Sequence, residues 1–309
     1  MKNGHPKAKP FLKWAGGKTQ LLDALRARFP AGLETGEITR YLEPFVGSGA
    51  VFFYLAGHFT IPEFHLFDRN EELILAYRTL KTRCEQVIVS LQGLQTDYYQ
   101  LPAEDQKVFY YKLRANFNQT KESVDFESDK PGLAAVKRTA QLIFLNRTCY
   151  NGLFRVNSKG EFNVPFGSYK HPTICDAENL NAVCEVLQRA KIHLGDFETC
   201  APFVHAQSFA YFDPPYRPLN KTSSFTSYAA QPFDDAEQKR LAAFYRTLHA
   251  TGAKLMLSNS DPRNENPDDD FFDSLYQGFT IHRVPANRMI NSKPEGRGRI
   301  NELLILNYS

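Results

Sequence analysis

The residues with the most chemical content are Asp213-Pro214-Pro215-Tyr216, which directly follow the apolar run Phe209-Ala210-Tyr211-Phe212. An amino group conjugated to an aromatic ring is a poor nucleophile because its lone pair is delocalised. A carboxylate accepting one of its N–H bonds, and a backbone carbonyl accepting the other, help to localise that pair. Asp213 and the carbonyl of Pro214 suit these two roles, and Pro214 and Pro215 stiffen the turn that carries them. Tyr216 offers a flat face to a base drawn out of its stack. By itself the tetrapeptide is also compatible with a plain proline turn after a strand, the less favoured reading.

Two further segments carry weight. In Glu43-Pro44-Phe45-Val46-Gly47-Ser48-Gly49 the glycines permit a tight turn and close approach to a ligand. Asp68 lies 21 residues beyond Gly47, at the end of the next expected strand, where an acid accepts hydrogen bonds from ribose hydroxyls. Phe52 stands where a dinucleotide fingerprint needs its third glycine, so a nucleoside cofactor without a pyrophosphate fits better. The other segment, Phe11-Leu12-Lys13-Trp14-Ala15-Gly16-Gly17-Lys18-Thr19, imitates a phosphate loop. It has Leu12 where that loop needs glycine, and no strand precedes it. An ATP-binding protein is kept as the alternative of a different class. Trp14, flanked by small and basic residues, reads as a ligand wall.

The elements that must position these residues alternate. Arg40 to Pro44 is an expected strand, followed by a helix from about Ala50, a strand over Phe64–Phe67, and a helix capped by Asn70 with Glu71 and Glu72 in its first turn. Strand patterns return at Ile192–Leu194, Ser208–Phe212 and Ala253–Ser258. Two antiparallel strands over Phe279–Val284 and Ile300–Tyr308 end the chain. The pattern is an α/β sheet with helices on both faces. Tyr77 to Asn179, helix-rich and then loop-rich from Cys149 to Pro172, reads as an insert. The expected domains are 1–76 with 180–309, holding the cofactor, and 77–179.

Composition bounds the rest. The 309 residues are 42% hydrophobic and 23% charged, an ordinary globular balance, and the net charge of +3 does not by itself argue for a polyanionic partner. Cys84, Cys149, Cys175, Cys184 and Cys200 contain no C-x-x-C pair, so no structural zinc site or other metal is expected. They read as reduced thiols in a cytoplasmic protein with no signal peptide and no membrane span. Between Lys130 and His171, seven basic residues (Lys130, Lys137, Arg138, Arg147, Arg155, Lys159 and Lys170) face one acid, Glu161. Tyr150, Phe154, Phe162, Phe166 and Tyr169 are interleaved with them, a pattern for phosphates and stacked bases. The acidic stretch Asp261–Asp273 reads as a solvated loop, away from any phosphates.

Taken together and in this order, the motifs resemble the Dam-type, D12-class DNA adenine-N6 methyltransferases, GATC-specific branch. The resemblance runs from about Phe11 to the C-terminus, and includes Phe225-Thr226-Ser227-Tyr228 and Ser258-Asn259. It implies a Rossmann-like methyltransferase sheet, mostly parallel with an antiparallel C-terminal hairpin, plus an inserted helical and hairpin target-recognition domain. It implies S-adenosyl-L-methionine held by Trp14, Ala15, Gly16, Lys18, Pro44, Phe45, Gly47, Gly49, Asp68 and Asp213. Gly195-Asp196-Phe197 resembles the segment that holds the donor's adenine, although Asp196 is equally a helix N-cap. Asn146 to Arg155 and Gly160 to Gly167 resemble the recognition hairpin. Arg155 then reads a guanine, Leu153 and Pro165 meet the thymine, Lys13 meets the other guanine, Tyr150 wedges into the duplex, and Asn151 contacts the orphaned base. Arg147 and Asn163 complete the expected DNA surface. Arg155 has the fork that guanine O6 and N7 require, and Leu153 and Pro165 suit a thymine methyl. Many members have Gly-Arg-Tyr where this chain has Gly167-Ser168-Tyr169, a departure that removes a phosphate contact.

The implied mechanism is direct transfer. An adenine is flipped against Tyr216, its amino group is oriented by Asp213 and the Pro214 carbonyl, and N6 attacks the donor methyl in line. Neither a protein nucleophile nor a metal takes part. The partner is double-stranded DNA, with no membrane and no obligatory protein partner. A cytosine-N4 methyltransferase needs the same amino-group activation, and a catalytically dead DNA-binding relative is a further alternative.

Overall fold

The computed structural model describes residues 7–14, 16, 18, 21–217, 233–287 and 299–309. Ala15, and the segment from Phe225 to Tyr228, lie outside the described residues. Seven strands form one sheet: β1 (Arg40–Glu43), β2 (Glu63–Asp68), β3 (Ala190–Leu194), β4 (Ser208–Phe212), β5 (Lys254–Ser260), β6 (Thr280–Asn287) and β7 (Arg299–Leu306). Their spatial order is β3-β2-β1-β4-β5-β7-β6. The first five are parallel, and β7 runs antiparallel between β5 and β6. This is the expected fold class, a mostly parallel sheet closed by an antiparallel C-terminal hairpin.

Side chains on both faces of the sheet are buried. Tyr41, Phe209, Tyr211 and Met256 pack into one apolar layer, while their neighbours Leu42, Ala210, Phe212 and Leu257 pack into the other. That two-sided burial explains why these strands read as continuous apolar runs. The chain winds outward from β1 through β2 to β3, then returns to β4 on the opposite side of β1. The loops that leave the carboxyl ends of β1 and β4 therefore emerge side by side, at the switch point where such sheets bind ligands.

The helices among the described residues are α1 (Leu22–Arg26), α2 (Gly32–Thr35), α3 (Ala50–His58), α4 (Glu71–Gln100), α5 (Ala103–Gln119), α6 (Leu133–Thr148), α7 (Ala177–Leu187), α8 (Asp235–His249) and α9 (Phe271–Leu275). Asn70 caps α4 as expected, its Oδ1 accepting from the Leu73 N–H at 3.0 Å. α4 continues without interruption through Tyr77, so the expected insert begins partway along a helix. The helix is bent at Arg83, whose backbone is not helical. Arg138 on α6 clamps the buried carboxylate of Glu72 on α4 with two hydrogen bonds and donates to the Phe117 carbonyl on α5 at 2.8 Å.

Two expectations are corrected here. Cys84 on α4 and Cys184 on α7 form a disulfide that joins positions 100 residues apart, with Cα atoms 6.0 Å apart. α7 packs along α4 and brings the two thiols together, which spacing along the chain does not reveal. The acidic stretch is not simply solvated. Asp261 is buried and pairs with Arg283, Asp273 pairs with Arg263 and Arg283, and Asp269 pairs with Arg217. Its arginine partners come from sequence positions up to 52 residues away. Among the described residues no helix is long and apolar enough to cross a membrane.

Candidate active site and DNA-facing surface

Asp213 stands immediately after β4. Its Oδ1 lies 2.8 Å from Lys18 Nζ and accepts a hydrogen bond from Ser258 Oγ at 3.1 Å. Ser258 is on β5, and its Oγ is 2.8 Å from Tyr211 Oη. Burial pushes the Asp213 carboxyl up, while Lys18 and Ser258 favour its ionised form. The turn is braced from outside. Gln238 on α8 donates to the Pro215 carbonyl at 3.1 Å, and Arg217 is held by Asp235 and Asp269. No donor among the described residues engages the Pro214 carbonyl. Tyr216 Oη donates to Glu302 Oε2 on β7 at 2.6 Å, which fixes the plane of its ring. Lys18 Nζ lies 4.6 Å from the centre of that ring.

The glycine loop after β1 meets the N-terminal motif here. Gly47 has φ +47°, and a Cβ there would come within 3.0 Å of the Trp14 ring, so this glycine allows the ring to lie against the backbone. The Gly47 N–H donates to Asp68 Oδ2 at 3.1 Å and the Asn70 N–H to Oδ1 at 2.9 Å, which together aim the carboxylate at the loop. Burial raises the Asp68 carboxyl against these bonds. Pro44 is buried, and the Phe45 ring lies 5.5 Å from that of Phe197 and 5.7 Å from that of Phe233. Gly16 turns the motif with φ +77° and its carbonyl accepts from Lys18 at 2.7 Å. Gly49 sits at the start of α3. Asp196 is heavily engaged, bound twice by Arg240, paired with Arg69 and capping a 3-10 turn through the Glu198 N–H. Burial alone would raise its carboxyl, but these donors hold it below the usual range. The cap reading of Asp196 is thus realised in the structure.

The segment from Cys149 to Gly167 doubles back on itself with only isolated bridges, Cys149 to Phe166 and Val156 to Phe162. Backbone hydrogen bonds cross it, among them the Tyr150 N–H to the Pro165 carbonyl at 2.8 Å and the Asn163 N–H to the Arg155 carbonyl at 3.0 Å, and α5 supports it further. Tyr110 and Arg114 donate to the Val164 carbonyl at 2.8 and 2.9 Å, and Asn118 exchanges two hydrogen bonds with Phe162. Tyr150, Asn151, Arg155 and Pro165 are exposed, Tyr150 by 54%. Asn163 Oδ1 accepts from Arg155 Nε at 2.8 Å. Leu153 is half-buried.

The aromatic and basic readings of this stretch need correction. Phe154 and Phe162 are buried, and Phe166 packs on Tyr110, because alternation along an extended backbone turns them inward. Arg138 is buried against Glu72, and half-buried Arg147 donates inward to the Phe11 carbonyl at 2.9 Å. Lys130, Lys137, Arg155, Lys159 and Lys170 remain exposed.

Asn146 joins the two regions. It is buried, accepts from the Lys13 N–H at 2.8 Å and donates to the carbonyls of Lys13 and Gly152, both at 2.9 Å. Gly152 has φ +63°, and a Cβ there would overlap the Lys13 side chain. Trp14 stacks on Phe154 with ring centres 5.2 Å apart. Sequence reasoning assigned no role to Asn146, Gln238 or Glu302. Glu302 had a usable signal, being an acid inside the apolar strand Ile300–Leu306.

A Rossmann-like sheet, with a glycine loop and an Asp-Pro-Pro-Tyr turn paired at its switch point, defines the class of amino-group methyltransferases. The chain belongs to the D12 class N6 adenine-specific DNA methyltransferase family, whose model matches residues 14–290. It is 52% identical to the Type II methyltransferase M.MjaIII of Methanocaldococcus jannaschii, covering 97% of this chain and 99% of that one. It is 38% identical to the Type II methyltransferase M1.LlaDCHI of Lactococcus lactis subsp. cremoris, covering 97% and 95%. It is 34% identical to the DNA adenine methylase of Vibrio cholerae, covering 97% and 96%. The protein is an adenine-specific DNA methyltransferase, and the cytosine-N4 alternative is not favoured.

Proposed function

We propose that this enzyme methylates N6 of a flipped adenine within GATC in double-stranded DNA, with S-adenosyl-L-methionine as the donor. The observation that carries the reading is the ion pair between Lys18 and Asp213. It closes the N-terminal motif onto the Asp-Pro-Pro-Tyr turn and brings two segments far apart in the chain to one place. The residues around that ion pair fit a nucleoside donor. The glycine loop approaches Trp14 closely, the Asp68 carboxylate is fixed by two backbone N–H groups, and Phe45 and Phe197 form an apolar wall. Trp14, Ala15, Gly16, Lys18, Pro44, Gly47, Gly49, Asp68 and the Asp196-Phe197 segment would hold the donor. When bound it supplies an electrophilic methyl group. Asp213 and the Pro214 carbonyl accept the two N–H bonds of the adenine amino group, and Tyr216, locked by Glu302, stacks on the base.

Residues 77–179 serve as the target-recognition part and the remainder as the catalytic part. Tyr150 is the wedge, Asn151 meets the orphaned base, and Arg155, Leu153, Pro165 and Lys13 read the site. Asn163 supports Arg155 rather than reading DNA alone. Arg147 contributes by anchoring the N-terminal segment.

The test is expression in a host free of DNA methylation, followed by sequencing of modified bases and by calorimetric titration of the purified protein with S-adenosyl-L-methionine. N6-methyladenine in every GATC, together with saturable donor binding, is expected. Methylation at another sequence would overturn the site, and absence of binding would overturn the donor.

A further inference from the structure

The Asp213 carboxylate is loaded unevenly. Oδ1 receives both Lys18 Nζ and Ser258 Oγ, at 2.8 and 3.1 Å. No donor among the described residues reaches Oδ2. Ser258 is fully buried on β5, the strand that runs beside β4 with Leu257 opposite Phe212. A serine hydroxyl has one proton to give. Since that proton goes to Asp213, the bond to Tyr211 at 2.8 Å is one that Ser258 accepts. Tyr211 is buried as well, and its phenol is pushed far above its ordinary range by burial and by Asp213, so it keeps its proton. The chain of donation therefore has one direction, from Tyr211 to Ser258 to Asp213 Oδ1.

We infer that Ser258 is a positioning residue for the amino-group acceptor: with Tyr211 behind it, it pins Oδ1 and leaves Oδ2 facing the adenine amino group. This rests on the role proposed above for Asp213. Lys18 cannot do the same work alone, because an ammonium on a flexible stem is a point charge with little directional preference. The Ser258 hydroxyl is held by two strands of the sheet and by Tyr211, so it constrains the rotation of the carboxylate. A hydrogen bond to the ionised form also favours that form, so Ser258 works against the upward push that burial gives the Asp213 carboxyl.

The experiment measures steady-state methylation of a GATC duplex by the full chain. Ser258→Ala should lower kcat roughly 10- to 100-fold, the range for losing a hydrogen bond to a charged acceptor. KM for DNA and for the donor should stay at the wild-type values, and the acid limb of the kcat profile should move to higher pH. Tyr211→Phe should lower kcat by a smaller factor in the wild type and by none in the Ser258→Ala background, because it acts only through Ser258. A folded Ser258→Ala protein with wild-type kcat and an unmoved acid limb overturns the inference. So does an equal cost of Tyr211→Phe in both backgrounds. Should Ser258→Ala lose its fold, Tyr211→Phe decides alone: a lower kcat with a raised acid limb supports the inference, and wild-type values overturn it. Asp213→Ala is the control. Turnover retained there overturns the role of Asp213 itself, whereas an inactive Asp213→Ala beside a fully active Ser258→Ala overturns only the role of Ser258.

Discussion

In the function proposed above, the site at the switch point and the hairpin around Arg155 solve opposite problems. At the site the side chains satisfy one another. Lys18, Ser258 and Tyr211 are linked to Asp213, Glu302 to Tyr216, and Gln238 to the turn, all supported by adjacent strands and α8. In the hairpin it is the backbone that is satisfied, by Tyr110, Arg114 and Asn118 of α5, so that Tyr150, Arg155 and Pro165 are left exposed. Orienting an amino group requires one geometry, and a network of mutual bonds supplies it. Reading a duplex requires donors and apolar edges that are still free when the partner arrives. Asn146 and the Trp14–Phe154 stack tie the two regions into one packed unit.

That contrast can be broken first at the joint between sheet and insert. Arg138→Ala strands the buried Glu72 carboxylate and should cost about 3–5 kcal/mol of stability by chemical denaturation, the usual penalty for breaking a buried pair. A loss under 1 kcal/mol would mean that the clamp between α4 and α6 is not needed. The second test concerns the sheet alone. Buried His65 on β2 and half-buried His193 on β3 lie side by side, Nδ1 to Nε2 at 3.1 Å. Burial, with His193 beside it, lowers the His65 imidazole to about 4. A histidine with a depressed folded value stabilises the fold above its unfolded value of about 6.5. That contribution is lost as pH falls through the folded value. Stability should therefore fall as pH drops from 7 to 4, and by less in His65→Phe. Equal pH dependence in the two proteins would remove His65 as the source. The third and smallest effect is expected at the hairpin. Arg155→Ala should leave Tm unchanged and reduce discrimination at one guanine by about 1–3 kcal/mol, measured on duplexes carrying every single-base variant of GATC. Unchanged preference would take Arg155 out of the reading surface, and a lowered Tm would show that the hairpin is not independent of the fold.

Much of this was legible along the chain because it depends on local order. Strand–loop–helix units, the glycine loop, the Asn70 cap and the Asp-Pro-Pro-Tyr turn are set by neighbours within a few residues, and each lies where the pattern predicts. Exposure was less legible. Phe154 and Phe162 look as available for stacking as Tyr150 does, and Arg138 and Arg147 look as free as Arg155. Which side of an extended segment faces the core depends on α5 and α6, which lie elsewhere in the sequence. The pairings were not legible at all. Nothing local joins Cys84 to Cys184, Asp261 to Arg283, or Tyr216 to Glu302.

The sequence by itself determined the sheet, the two loops at its carboxyl edge and the family to which the chain belongs, because residue type and spacing carry those directly. Only the tertiary structure decided which oxygen of Asp213 is occupied, which arginines face outward, and which residues brace the turn. Those outcomes depend on distances between segments that the chain visits far apart, and they are settled only when the strands come into register.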